Sequence, residues 1–236
     1  MRLGLLLCDH VRSELQSLGG DYPDYFARFF DGLELVTFDL TNGHFPDDLD
    51  SCDAWIGSGS LHSVYDEVEW IQRFAALVRR FDEEERRYVG ICFGSQMIGH
   101  ALGGRVARAS QGWQVGIKEA KLGPERTLRI LHCNQDQILH LSPRMRLLAT
   151  ADTNPVEIVS VGEHMLGLQG HPEFTADYVA ALVKVRMGKS IPTEIAESGL
   201  RSLAMAPDTE AFRTMILEFV AGGVSAISVV GAQPTA

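Results

Sequence analysis

The sequence predicts an α/β fold: a mostly parallel central sheet flanked by helices on both faces, with extra short strands in its second half. Three observations carry that expectation. Over the first hundred residues, short apolar runs alternate with amphipathic stretches, the βαβα order that builds parallel sheets. From about residue 105 to 168 the pattern changes to closely spaced short strands and turns. Helical periodicity returns from residue 176.

Taken in order, Arg2–Leu7 is a buried apolar strand, residues 24–30 form a helix, and residues 34–40 the next strand. Residues 53–56 make a further short strand. Residues 67–80 place Trp70, Ile71, Phe74, Leu77 and Val78 along one helical face. Tyr88–Ile91 is a short apolar run, and residues 95–102 put Met97, Ile98, Ala101 and Leu102 on one side of a helix that Gly103-Gly104 stops. The second half contributes strands at 114–122, 127–133, 146–150, 156–161 and 164–168, then helices at 176–187 and 209–220. No Pro-, Gly- or Ser-rich linker interrupts this succession. One domain is therefore expected over residues 1–236, with its core at 1–187, a helical extension at 188–221 and a frayed tail at 222–236. The charge run FDEEERR, residues 81–87, reads as a solvated helix end and its loop.

Composition narrows the function classes. The chain has 236 residues, 45% of them hydrophobic and 22% charged, enough for a substantial core. A net charge of −10 argues against nucleic acid or an anionic membrane as partner. The apolar start, Met1 to Cys8, meets Asp9-His10 at once and is too short for a signal peptide or a membrane span. Four cysteines without C-x-x-C spacing point to reduced thiols in a cytoplasmic protein. Cys8, Cys52 and Cys133 are expected to be small core hydrophobes.

Cys92 stands apart. Gly90-Ile91-Cys92-Phe93-Gly94 occupies a strand–turn–helix corner. There a G-x-nucleophile-x-G elbow pushes its middle side chain out, and the helix N-terminus points back at the sulfur. A nucleophilic thiol wants a base. Of the eight histidines, His10, His44, His62, His100, His132, His140 and His164 have no distinguishing partner in the sequence. His171 lies in GLQGHPEF, where Pro172 favours extended backbone, so that Glu173 projects to the same side and can orient the imidazole. Helix capping by His171 and Glu173 is the competing reading of that stretch.

The two motifs Gly90-Ile91-Cys92-Phe93-Gly94-Ser95-Gln96 and His171-Pro172-Glu173 resemble those of the class I glutamine amidotransferases, the glutaminase domains of GMP synthetase and anthranilate synthase among them. The resemblance extends from the first strand to about Met187. It implies a flavodoxin-like sheet and a Cys92–His171–Glu173 triad that attacks the side-chain amide of glutamine. It further implies an oxyanion hole in the GSGSLHSVYDE loop, residues 57–67, with Gly59 or Ser60 donating alongside the N–H of Phe93. Leu61 stands where proline is common in the family. Gln96 matches a substrate-holding position, and Asn134, Gln135 and Asp136 match the segment that binds the α-amino and carboxylate groups of glutamine, although the more usual S-H-G-D form is absent. The GWQVG stretch around Trp113 falls where the family lines its pocket.

The activity so implied is glutamine side-chain hydrolysis through a γ-glutamyl thioester, with no metal and no cofactor. No P-loop or other synthetase signature accompanies the triad. Two enzyme readings stay open. The chain either supplies ammonia to a separate synthetase or acts alone on γ-glutamyl peptides or amines. A non-catalytic binding or regulatory module, and a cysteine peptidase on a related fold, are the remaining alternatives.

Overall fold

Alternation of large apolar residues gives the parallel strands two buried faces. The computed structural model of the chain describes residues 1–223; from residue 224 onward the tail expected to fray lies outside the described residues. The strands are β1 (Arg2–Leu7), β2 (Glu34–Asp39), β3 (Ala54–Gly57), β4 (Tyr88–Ile91), β5 (Arg105–Arg108) and β6 (Gln114–Leu122). They continue with β7 (Arg126–Asn134), β8 (Asp136–His140), β9 (Met145–Ala151), β10 (Asn154–Val161) and β11 (Met165–Leu168). The helices are α1 (Tyr22–Phe29), α2 (Glu69–Glu83), α3 (Phe93–Ala101), α4 (Ala176–Arg186), α5 (Thr193–Ser202) and α6 (Thr209–Val220).

Nine strands form one sheet in the order β2-β1-β3-β4-β11-β10-β9-β6-β7. The first five run parallel, and the pairs from β11 to β7 are antiparallel. Leu3, Leu5, Leu7, Ile56, Val89, Ile91 and Leu168 pack with Tyr25 and Phe26 of α1, Val179 of α4 and Phe212 of α6. Their alternate neighbours Leu6, Trp55, Tyr88 and Met165 pack with Phe74 of α2 and Met97 of α3. The period of two along each strand thus feeds two cores, one on each face. The expected α/β architecture is what the chain adopts.

Several boundaries differ for identifiable reasons. Helix α1 starts at Tyr22 because Asp21 and Asp24 form a reciprocal capping box. Strands β5 and β8 escaped the sequence pattern. They pair in a separate two-stranded sheet, and the exposed arginines at both ends of β5 leave no apolar run to detect. Helix α5, unspecified within the expected extension, buries Ala196 and Gly199, and Ser202 Oγ accepts the Ile117 N–H at 2.8 Å.

The charge run at 81–87 is not simply solvated. Phe81 and Asp82 are buried, and Asp82 pairs with Arg144 (2.5 Å) and with His164 Nε2 (3.1 Å). Arg87 Nη1 donates to Phe219 O at the end of α6. Their partners are distant in sequence, so composition alone hid them. Among the described residues, no helix is long and apolar enough to cross a membrane.

Candidate active site

The elbow is built from close backbone contact. A Cβ on Gly90 would run into the Gly94 carbonyl, and one on Gly94 would lie 2.5 Å from Gly57 O. Only glycine fits either position. Between them Cys92 takes φ 51° and ψ −101°, a conformation rare for a residue with a side chain. The strain is held by Cys92 N donating to Leu168 O, by Gly94 N to Ser58 O and by Tyr88 Oη to Gly94 O. Sγ is thereby carried to the end of β4 at the start of α3, beyond the carboxyl edge of the parallel strands.

His171 and Glu173 follow β11, the neighbour of β4. His171 N donates to Leu131 O at 2.7 Å, fixing the segment against β7, and the imidazole stacks on Phe174 with centroids 4.2 Å apart. Nδ1 lies 2.7 Å from Glu173 Oε1, and the Cys92 side chain is close enough to act electrostatically on the same imidazole. Burial alone would lower the affinity of His171 for its proton. The Glu173 carboxylate and the Cys92 sulfur overcome that penalty and raise the imidazole to about 10. Helix capping does not account for the H-P-E stretch, because Thr175 Oγ1 caps α4 by accepting the Tyr178 N–H. The structure thus brings Cys92, His171 and Glu173 together, the residue types that a nucleophile–base–orienter set uses.

The loop after β3 closes on the same point. A Cβ on Gly59 would sit 2.7 Å from His171 Cε1 and 3.7 Å from Cys92 Cβ. Leu61 N is taken by Asp9 Oδ2 at 2.7 Å. Among the described residues, Gly59, Ser60 and Phe93 N–H have no acceptor, so these are the amides free to meet an oxyanion.

A pocket of about 150 Å³ opens at Cys92. Ser60, Gln96, Asn134, Gln135 and Asp136 all line it, as do Leu61, Arg108, Trp113, Cys133 and Arg186. Every residue expected to hold substrate therefore borders one cavity. Gln96 Nε2 donates to Asp136 O (2.8 Å) and Gln169 Oε1 (3.1 Å), while Gln169 Nε2 reaches Cys92 Sγ at 3.6 Å. Ser63 Oγ donates to Asp136 Oδ2 and ties the 57–67 loop to the opposite wall. Cys8 and Cys52 are buried as expected. Cys133 instead forms part of the pocket wall, and desolvation pushes its thiol up to about 11 despite the nearby Arg186.

Sequence reasoning missed Gln169, although GLQGHPEF contains it, and it missed a buried network behind the pocket. His132 has partners after all. Its Nδ1 lies 3.0 Å from Asn134 Oδ1, and its Nε2 lies 3.1 Å from Glu157 Oε1, too bent for a straight hydrogen bond, with both side chains fully buried. Glu157 also accepts from Asn154 Nδ2 (2.6 Å) and from Gly170 N (3.2 Å). Burial raises the Glu157 carboxyl, but His132, Asn154 and Gly170 outweigh it and hold the group below its usual value. One carboxylate thus braces both the Asn134 segment and the residue preceding His171.

Known proteins agree with this architecture. Residues 34–179 match the family model "Glutamine amidotransferase class-I". Over 94% of this chain and 96% of its own length, γ-glutamyl peptidase 5 of Arabidopsis thaliana is 30% identical. The glutamine-hydrolysing GMP synthase component of Thermococcus kodakarensis is 28% identical over 53% of this chain and 71% of its own. The crystal structure of a glutamine amidotransferase from Thermotoga maritima superposes with a TM-score of 0.71 at 22% identity, covering 93% of this chain and 98% of that one, a likeness of fold. With the elbow and the mixed sheet resting on a family match over well over half its length, the chain belongs to the class I glutamine amidotransferase family.

Proposed function

We propose that the chain hydrolyses γ-glutamyl amide bonds with Cys92, His171 and Glu173, acting alone and preferring a γ-glutamyl peptide to free glutamine. The Cys92 side chain in the pocket wall, with the Glu173-bound imidazole of His171 beside it, carries the chemistry. The preference is supported by near full-length similarity to a γ-glutamyl peptidase, whereas the GMP synthase component matches about half of the chain. That order favours the hydrolase over the ammonia-supplying glutaminase, which the motifs alone put first.

In the first step His171, its proton affinity raised by Glu173 and Cys92, holds the proton of the pair while Sγ attacks the γ-carbonyl carbon. The carbonyl oxygen becomes an oxyanion facing Gly59, Ser60 and Phe93 N–H. Collapse breaks the C–N bond as His171 passes its proton to the departing nitrogen, leaving a γ-glutamyl thioester and a free amine. His171 then removes a proton from water, the resulting hydroxide attacks the thioester, and glutamate leaves as Sγ recovers the proton. Water is the sole co-reactant. Gln96, Asn134, Gln135 and Asp136 hold the glutamyl head group, and Glu173 keeps Nδ1 oriented throughout.

Similarity to the GMP synthase component keeps a second reading, ammonia supply to a synthetase, worth testing. With purified chain and no partner, kcat/KM for at least one γ-glutamyl dipeptide should exceed that for glutamine by about a hundredfold or more, equivalent to about 2.7 kcal/mol in the transition state. Slow glutaminase that a synthetase accelerates, with no dipeptide cleaved, would favour the second reading instead.

A further inference from the structure

A second groove, of about 360 Å³, adjoins the pocket and has no part in the chemistry described so far. Leu61, Trp113 and Arg186 line both cavities and form the partition between them. Beyond that partition the groove is completed by Arg12, Val185, Lys189 and Ser190. Its walls therefore combine apolar surface from Leu61, Trp113 and Val185 with three cationic side chains and no acidic one. Leu61 is 58% exposed, an apolar side chain left uncovered at the mouth of the pocket.

The charges around the groove are uneven. Arg186 lies against Trp113, 5.8 Å from the ring centroid, and one of its nitrogens meets Cys133 Sγ at 3.7 Å. Arg12 pairs with Glu14 at 2.8 Å. The Glu14 carboxyl is lowered first by that hydrogen bond with Arg12, and Lys189 acts on it in the same direction. One carboxylate outside the groove thus faces two cations on its rim, and among the described residues Arg186 contacts Cys133 and Trp113 and no acid. The local balance is positive, against a chain of net charge −10.

We propose that this groove is the leaving-group subsite, and that it takes an amino-acid or peptide leaving group with an apolar side chain and a free carboxylate. The inference rests on the γ-glutamyl hydrolase reading. The pocket at Cys92 is the smaller of the two cavities and suits the glutamyl group alone. Whatever lies beyond the scissile nitrogen must leave it, and the groove shares a wall with it. An apolar side chain covers Leu61 and Val185, and a carboxylate is drawn to Arg12, Arg186 and Lys189. Amine leaving groups that carry a second positive charge are repelled by the same three residues, so γ-glutamyl polyamines are poor substrates.

The test compares γ-glutamyl-leucine with γ-glutamyl isopentylamide, which keeps the leucine side chain and lacks only the carboxylate. Wild-type protein should cleave the dipeptide with about tenfold higher kcat/KM. In the Arg12→Ala/Lys189→Ala double variant that ratio should fall to within about twofold of unity. Calorimetric titration of Cys92→Ser with both compounds reads the same preference without turnover. Equal kcat/KM for the two conjugates, both well above glutamine, would overturn the subsite and leave γ-glutamyl hydrolysis standing. Failure to cleave either conjugate faster than glutamine would remove the hydrolase reading and the subsite together. An unchanged ratio in the double variant, with the fold intact by circular dichroism, would also count against it.

Discussion

Cys92→Ala is expected to lower kcat on any γ-glutamyl substrate by about 10⁴-fold or more, with far-ultraviolet circular dichroism unchanged. The substitution removes only Sγ. Gly90, Gly94 and the Tyr88 Oη to Gly94 O bond that hold the elbow remain in place. His171→Ala should be about as damaging, because the same imidazole takes and returns the proton in both half-reactions. Glu173→Gln should be roughly a hundredfold less damaging than either, since the carboxylate orients Nδ1 without itself transferring a proton. Steady-state kinetics on one dipeptide ranks the three. A Glu173→Gln variant indistinguishable from wild type would show that the 2.7 Å contact is structural packing and no part of a triad.

Glu157→Ala should be the most destabilising single change behind the pocket, by about 3–5 kcal/mol. It removes the acceptor of Asn154 Nδ2 and Gly170 N–H and the carboxylate that lies beside His132 Nε2, in a site fully closed to water. For a chain of this size that corresponds to a fall in Tm of about 6–20 °C. Replacing both His132 and Glu157 by apolar residues should not restore the loss, because Asn154 and Gly170 still point at the vacated carboxylate. The pH dependence has a definite sign. The folded Glu157 carboxyl is lowered, so its stabilisation is fully present above the unfolded value of about 4.3 and is lost as pH falls through the folded value. The Tm gap between wild type and Glu157→Ala should therefore narrow on acidification. A gap independent of pH would mean that the variant acts through lost volume and not through lost charge.

Local chemistry made much of the site legible in the sequence. The glycines around Cys92 announce an elbow because no Cβ fits at either position, and that requirement is written in consecutive residues. His171 and Glu173 were legible for the same reason, lying two residues apart on extended backbone. The parallel half of the fold was legible because its strands are buried on both faces and read as unbroken apolar runs.

What escaped notice depends on long-range pairing. His132 and Glu157 meet only because the fold brings β7 and β10 together behind the His171 segment, and the contact joins residues 25 positions apart that no short window of sequence contains. Gln169 gains a role only when α3 brings Gln96 beside it. Strand β8 follows the Asn134 segment directly, and only pairing with β5 marks it as a strand. The positive groove joins side chains from residues 12, 186 and 189, which no window of sequence contains.

The most direct test of the account is to trap the γ-glutamyl enzyme from a dipeptide substrate by rapid acid quench and map the adduct by mass spectrometry. The account predicts a γ-glutamyl thioester on Cys92 that forms in wild type, disappears once the substrate is exhausted, and is absent from Cys92→Ala. An adduct on Cys8, Cys52 or Cys133, with Cys92 unmodified while turnover proceeds, would contradict it.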